Sequence, residues 1–160
     1  MINFSLNEVI ELAVQIEKSG YEFYDAILKR KDLNSKIREL IECLRNEELT
    51  HEATFKNLRS SEDYEKMGDP VNWPEAASYL KAISDSHIFH KPGAAIKLAT
   101  ETINEKEILE NAIQFEKDTL LFFHSIYDKT ENERSKKIIK AIIDEEIVHV
   151  TKLTNLLNNE

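Results

Sequence analysis

Along the chain, apolar residues recur at alternating spacings of three and four over four long stretches, the period of helices that bury one stripe. Ile37, Ile41, Leu44, Glu48, His51, Phe55 and Leu58 trace one such seam, and Ile139, Ile142, Glu146, His149, Leu153 and Leu156 trace a second. A third runs through Ile10, Ala13, Glu17, Gly20, Tyr24 and Ile27, and a fourth through Leu109, Ala112, Glu116, Thr119, Phe123 and Ile126. The pattern predicts helices over about 5–29, 34–58, 104–129 and 132–157, each ~37 Å long at 1.5 Å per residue. Within each pair the linker, Arg30 to Leu33 or Thr130 to Glu131, is so short that the two helices must be antiparallel neighbours.

The two pairs are copies of one another. Ile10 to Lys18 reads IELAVQIEK and Leu109 to Lys117 reads LENAIQFEK, identical at five of nine positions at an offset of 99. Upstream, Ser5…Glu8 and Asn104…Glu107 both have the spacing of a capping box. Downstream, Phe23-Tyr24 and Ile27 align with Phe122-Phe123 and Ile126. In the second helices the offset becomes 98: Glu47-Glu48-x-x-His51 matches Glu145-Glu146-x-x-His149, and Asn57-Leu58 matches Asn155-Leu156. Between the hairpins lies a 43-residue connector, Ser60 to Thr102. It carries a turn at Gly68-Asp69-Pro70, a short helix from Pro74 to about Ser84 with proline in its first position, and a break at His90-Lys91-Pro92-Gly93. Trp73 is placed to anchor this connector to the bundle. The expected fold is all-α: one domain, 1–160, in which antiparallel hairpins 5–58 and 104–157 form a four-helix bundle, with a long crossover, 60–102, containing a short extra helix.

Composition agrees with the periodicity. Three glycines and three prolines in 160 residues suit long helices and disfavour a sandwich or barrel. Thirty acidic against 21 basic residues give a formal charge of −9, the wrong sign for a general nucleic-acid surface. No apolar run approaches membrane-spanning length, and Met1-Ile2-Asn3-Phe4-Ser5 lacks a charged segment and a cleavage site, so a cytoplasmic protein with no membrane partner is expected. The single cysteine, Cys43, excludes a disulfide framework and a four-cysteine metal module; beside Leu44, it reads as a small buried hydrophobe. Lys136, Lys137 and Lys140 read as a solvated helix face.

The anomaly is what interrupts each seam. Glu17 lies 13 residues before Arg30 and Glu116 lies 13 before Lys129; Glu48 lies 14 after Asn34 and Glu146 lies 14 after Asn132. Four carboxylates therefore fall at one depth, with His51 and His149 one turn away. In an apolar interior each would cost several kcal/mol in lost hydration. Two divalent cations cancel the four charges, and neutral imidazoles complete the coordination; such a carboxylate-rich donor set favours iron or manganese over thiolate-selected metals. One Glu-x-x-His alone occurs on many solvated faces, and a lone core Glu can act as a register device. The joint pattern of two motifs, two further seam glutamates and matched depth is the ligand set of dinuclear carboxylate bundles.

At IEKSGYEFY (16–24), EELTH (47–51), FEKD (115–118) and EEIVH (145–149) the chain resembles the rubrerythrin-like branch of the ferritin-like superfamily, in its short form without a rubredoxin domain. The resemblance covers both hairpins, about three quarters of the chain. It implies a ferritin-like fold and a bridged dinuclear iron centre cycling between ferrous and ferric states. Glu17, Glu48, His51, Glu116, Glu146 and His149 are the implied ligands, with Glu48 and Glu146 not necessarily equivalent as bridges. In similar proteins an acidic residue at the position of Glu47 or Glu145 orients the histidine of the other motif; the alternative here is a solvated face. Tyr24, two turns from Glu17, has a hydroxyl that could reach a ligand carboxylate, although its repeat mate Phe123 has none and core packing is the simpler account. His124 is two turns past Glu116 and reads as a packed or exposed histidine, while His87 and His90, near Phe89, are weaker metal candidates. Full-length rubrerythrins carry an extra carboxylate where this chain has Thr119, the repeat mate of Gly20. Small residues at both places are expected to leave room for oxygen or peroxide beside the metals.

The function implied is an oxidoreductase, a ferroxidase or a peroxide-reducing protein. Its two ferrous ions reduce dioxygen or hydrogen peroxide, and a separate electron-donor protein restores them. Manganese or zinc are possible substitutes for iron, and a homodimer is the expected assembly. The competing readings are iron binding or storage without turnover, and a structural metal in an interaction module.

Overall fold

The computed structural model describes residues 6–60, 93–130 and 132–159. These form five helices and, among the described residues, no strand: α1 (Leu6–Leu28), α2 (Ser35–Ser60), α3 (Ala94–Glu101), α4 (Glu105–Lys129) and α5 (Glu133–Asn158). The four long helices start and end within one or two residues of the sequence-based bounds. Ser5, the turn at Gly68-Asp69-Pro70, Trp73, the helix expected from Pro74 to Ser84, His87, Phe89 and His90 lie outside the described residues.

Side-chain caps explain the sharp starts. Asn34, Asn104 and Asn132 each accept a bond from a free backbone N–H three residues on, those of Ile37, Glu107 and Ser135, all at 2.9 Å. At the start of α4 the reciprocal arm of the box goes one residue further back than predicted. The Glu107 carboxylate accepts from the Ile103 N–H (2.7 Å) rather than from that of the cap residue. Where α1 ends, the Arg38 guanidinium donates to the carbonyls of Leu28 and Arg30, satisfying oxygens that the helix leaves free.

Polar ties at one end fix the topology. Arg30 donates to the carbonyls of Thr102 and Ile103, and the backbone N–H of Asn34 donates to Glu105. The first hairpin's turn therefore sits against the start of α4, so α1 and α4 run antiparallel. α1 packs along α2 and α4 along α5, with fewer contacts between the hairpins. The core is continuous, and the seam residues are buried as the periodicity requires; Leu156 alone is only partly so.

Two features differ from the sequence reading. Cys43 is exposed, not buried: one residue from Leu44 is a rotation of about 100°, enough to carry it off the seam. Helix α3 was not anticipated. Its eight residues follow Gly93, which adopts φ 77°, a left-handed conformation that favours glycine. Ala95 and Ala99, one turn apart, are buried where α3 packs on α1. So small an apolar face leaves little periodic signal. The lysines behave as expected for a solvated face, with Lys137 and Lys140 exposed and Lys136 lying 5.1 Å from the Tyr127 ring centre. Among the described residues, no helix is long and apolar enough to cross a membrane.

Candidate metal centre

Each long helix delivers its ionisable seam residues to one level at mid-bundle. Glu17 from α1, Glu48 and His51 from α2, Glu116 from α4, and Glu146 and His149 from α5 are all at most 1% exposed. Their donor atoms form two overlapping groups, each spanning no more than 4.8 Å: Glu48, Glu116, Glu146 and His149 in one, Glu17, His51 and Glu146 in the other. Glu146 belongs to both.

The histidines are arranged as a matched pair, rings stacked at 6.0 Å between centroids and 19° apart. Their Nδ1 atoms face inward. Nδ1 of His51 lies 2.9 Å from one oxygen of Glu146, and Nδ1 of His149 lies 2.8 Å from the other. Glu17 and Glu116 approach the same two nitrogens at 3.5 and 3.6 Å. The outer nitrogens face acidic residues of the opposite hairpin: Nε2 of His51 lies 2.8 Å from Glu145, and Nε2 of His149 lies 2.7 Å from Glu47. Both acids are partly exposed, so each buried ring is one contact from the surface. Glu145 accepts from Nε2 of His51 and so holds the proton there, leaving the inward Nδ1 as a lone pair; Nε2 of His149, though close to Glu47, has no hydrogen-bond partner among the described residues. A lone pair 2.8–2.9 Å from a carboxylate oxygen is tolerable only with a positive centre between them, a proton or a cation.

The electrostatics state the same need. Burial pushes the carboxyls of Glu17 and Glu48 well above the usual range, and neighbouring glutamates, Glu146 and Glu17 respectively, push them further. Glu116 rises to about 8, through burial and then the charge of Glu146. Burial also works to raise Glu146, yet the two imidazoles facing it prevail and hold it well below the carboxylate range. Burial alone would depress both histidines. Contact with Glu146 instead takes His51 up to about 9, and contacts with Glu116 and Glu146 take His149 up to about 11. Without metal, protons stand in for the missing positive charge. Neither oxygen of Glu17 or Glu48 has a hydrogen-bonded donor among the described residues, an arrangement costing roughly 1–3 kcal/mol for each orphaned group.

Tyr24 does more than pack. Its buried hydroxyl donates to Glu116, while its ring lies edge-on to Phe23 and Phe115. The sequence contained a signal for this: a tyrosine amid apolar seam residues needs a partner for its hydroxyl. The space beside Gly20 is also not what the sequence suggested. A Cβ there would fall 2.6 Å from Oε2 of Glu48 and 2.6 Å from Cζ of Phe115, so that room is filled by protein rather than left for oxygen or peroxide. Its mate Thr119 is fully buried, with a hydroxyl that has no hydrogen-bond partner among the described residues. His124 is exposed and takes no part. Beside His149, a surface cavity of about 430 Å³ is lined by Glu47, Ala141, Asp144, Glu145, Val148 and His149.

Fold and cluster together define a helical bundle with a ferritin-like architecture and a buried carboxylate–histidine centre. The chain is similar in structure to a protein from Thermotoga maritima described as a candidate ferritin-like diiron-carboxylate protein, with 23% sequence identity and a TM-score of 0.72 over 99% of this chain and 97% of that one. That likeness shows the fold. No protein-family profile matches the chain, and no curated protein matches it.

Proposed function

We propose that the centre holds two iron ions, ligated by Glu17, Glu48, His51, Glu116, Glu146 and His149, and that the protein is a rubrerythrin-like oxidoreductase. The observation that carries this reading is the buried cluster itself: four carboxylates and two inward-facing imidazole nitrogens in two cation-sized groups that share Glu146. The donors fit the ions. Four carboxylates balance two divalent charges, and an oxygen-rich set with one nitrogen per position suits iron or manganese. The orphaned oxygens of Glu17 and Glu48 would gain the partner they lack.

When bound, ferrous iron supplies two electrons per centre for the reduction of dioxygen or hydrogen peroxide. The chain's own residues do the rest. Glu146 lies between the two histidines and holds both positions in register. Glu145 keeps the imidazole proton of His51 on Nε2, so that its Nδ1 is free to ligate, and Glu47 lies beside the corresponding nitrogen of His149. Tyr24 holds Glu116, and the aromatic wall of Phe23, Phe55, Phe115, Phe122 and Phe123 keeps bulk water out. The cavity beside His149 offers ions and small oxidants an approach lined by acids. Re-reduction needs a separate electron-donor protein, since a single exposed cysteine cannot hold a redox centre. A homodimer in the cytoplasm completes the proposal.

Anaerobic loading with two equivalents of ferrous iron, followed by peroxide or oxygen, tests it. Rapid stoichiometric oxidation that a donor can reverse supports the enzyme. Oxidation continuing far beyond two irons per chain indicates storage, and the absence of oxidation indicates a structural metal.

A further inference from the structure

An exact repeat would build two equal cation positions; this chain departs from its repeat at three places around the centre. The first departure is in the donors. One group gathers Glu48, Glu116, Glu146 and His149, the other only Glu17, His51 and the shared Glu146. Second, Tyr24 donates to Glu116, whereas its mate is Phe123 and, among the described residues, Glu17 has no hydrogen-bonded donor on either oxygen. Third, the pair of small residues is unequal. Glu48 leans over the bare Cα of Gly20, while the matching position on α4 carries the side chain of Thr119. Glu146, the mate of Glu48, lies instead between the two histidines.

We infer that the two positions fill in order: the first cation enters the Glu48–Glu116–Glu146–His149 position and the second the Glu17–His51–Glu146 position, with Tyr24 as the positioning residue that sets them apart. The inference rests on the dinuclear reading above. The first ion meets three carboxylates, one already held in place. The second finds Glu146 shared and only Glu17 new. Partners that orient a ligand are worth about 10–100-fold in metal affinity, so Tyr24 alone accounts for a gap of at least about tenfold.

Anaerobic calorimetric titration of the apo-protein with cobalt(II), followed in parallel by the metal's visible absorption, reads both steps without any turnover. The wild type should bind two ions, the first at least about tenfold more tightly. Tyr24→Phe should weaken the first step by about tenfold and leave the second nearly unchanged, closing the gap; a merely structural role for Tyr24 would weaken both steps alike and preserve their ratio. His51→Ala should keep the tight step, and His149→Ala should lose it. Two equal steps in the wild type, an unchanged ratio in Tyr24→Phe, or loss of the tight step in His51→Ala would each overturn the ordering. Saturation at one ion or none would overturn the dinuclear reading itself, a different failure visible in the stoichiometry.

Discussion

Gly20→Ala sets two effects of known size against each other. Inside a helix, alanine is favoured over glycine by about 1 kcal/mol, and Gly20 sits deep within α1. On that ground alone the variant should be more stable. The new methyl, however, would fall 2.6 Å from Oε2 of Glu48, 2.8 Å from its Cδ and 2.6 Å from Cζ of Phe115. The Glu48 carboxylate is the end of a flexible side chain and can swing aside. Phe115 cannot: its ring is fully buried and packed edge-on against Tyr24. Overpacking of this kind costs about 1–3 kcal/mol, so the net loss should be about 0–2 kcal/mol. A net loss of 1 kcal/mol lowers the melting point of a chain this size by about 2–4 °C. The second consequence is larger, because the swing of Glu48 takes one of the proposed ligands away from the centre. Urea denaturation of the apo-protein measures the first effect, and anaerobic metal titration measures the second, which should be a loss of at least tenfold in affinity (about 1.4 kcal/mol). A variant stabilised by the full helical increment, with wild-type metal affinity, would show that neither Phe115 nor Glu48 closes the space beside Gly20.

Glu17→Leu should raise the stability of the apo-protein, by about 1–4 kcal/mol in urea, because it replaces a buried carboxyl by an apolar side chain of similar size; a fall in the midpoint would contradict a metal-neutralised cluster. Glu17 is the cleaner choice for this test than Glu116, whose removal would orphan the Tyr24 hydroxyl. Stability of the apo-protein should fall as pH rises from about 6 to 9. Glu116 at about 8, His51 at about 9 and His149 at about 11 all keep protons in the folded state that the unfolded chain has released, so their contributions fade as pH climbs through those values. Glu146, held low, acts in the opposite sense and only in acid. Metal affinity should rise over the same interval, since ligation displaces those protons; denaturation curves and titrations at three pH values check both trends, and a flat profile would count against them. Glu145→Gln should weaken metal binding by about 10–100-fold, because it removes the acid that holds the Nε2 proton of His51; unaltered binding would reduce this acid to surface decoration.

The bundle and the convergence of the six side chains were legible because helical period and depth are arithmetic. A residue every 1.5 Å along a straight helix puts Glu17, Glu48, Glu116 and Glu146 level once the turns are located. What escaped the sequence was set by rotation of a single residue or by a side chain's last torsion. Cys43 lies one position off the seam and faces out, and eight residues with two buried alanines made α3 nearly silent. The Tyr24–Glu116 bond and the filling of the Gly20 notch by Glu48 depend on which way carboxylates turn. Repeat logic even argued against the former, since Phe123 has no hydroxyl. The repeat predicts what the two halves share, and the chemistry that separates them lies where they differ.

Whether paired cations occupy the buried acidic cluster is decided by metal analysis of protein purified without added metal. The wild type should carry close to two ions per chain, predominantly iron, reduced to at most one weakly held ion in Glu116→Ala. Wild-type protein with no bound metal that also refuses ferrous iron on anaerobic loading, or a Glu116→Ala variant with undiminished occupancy, would contradict it.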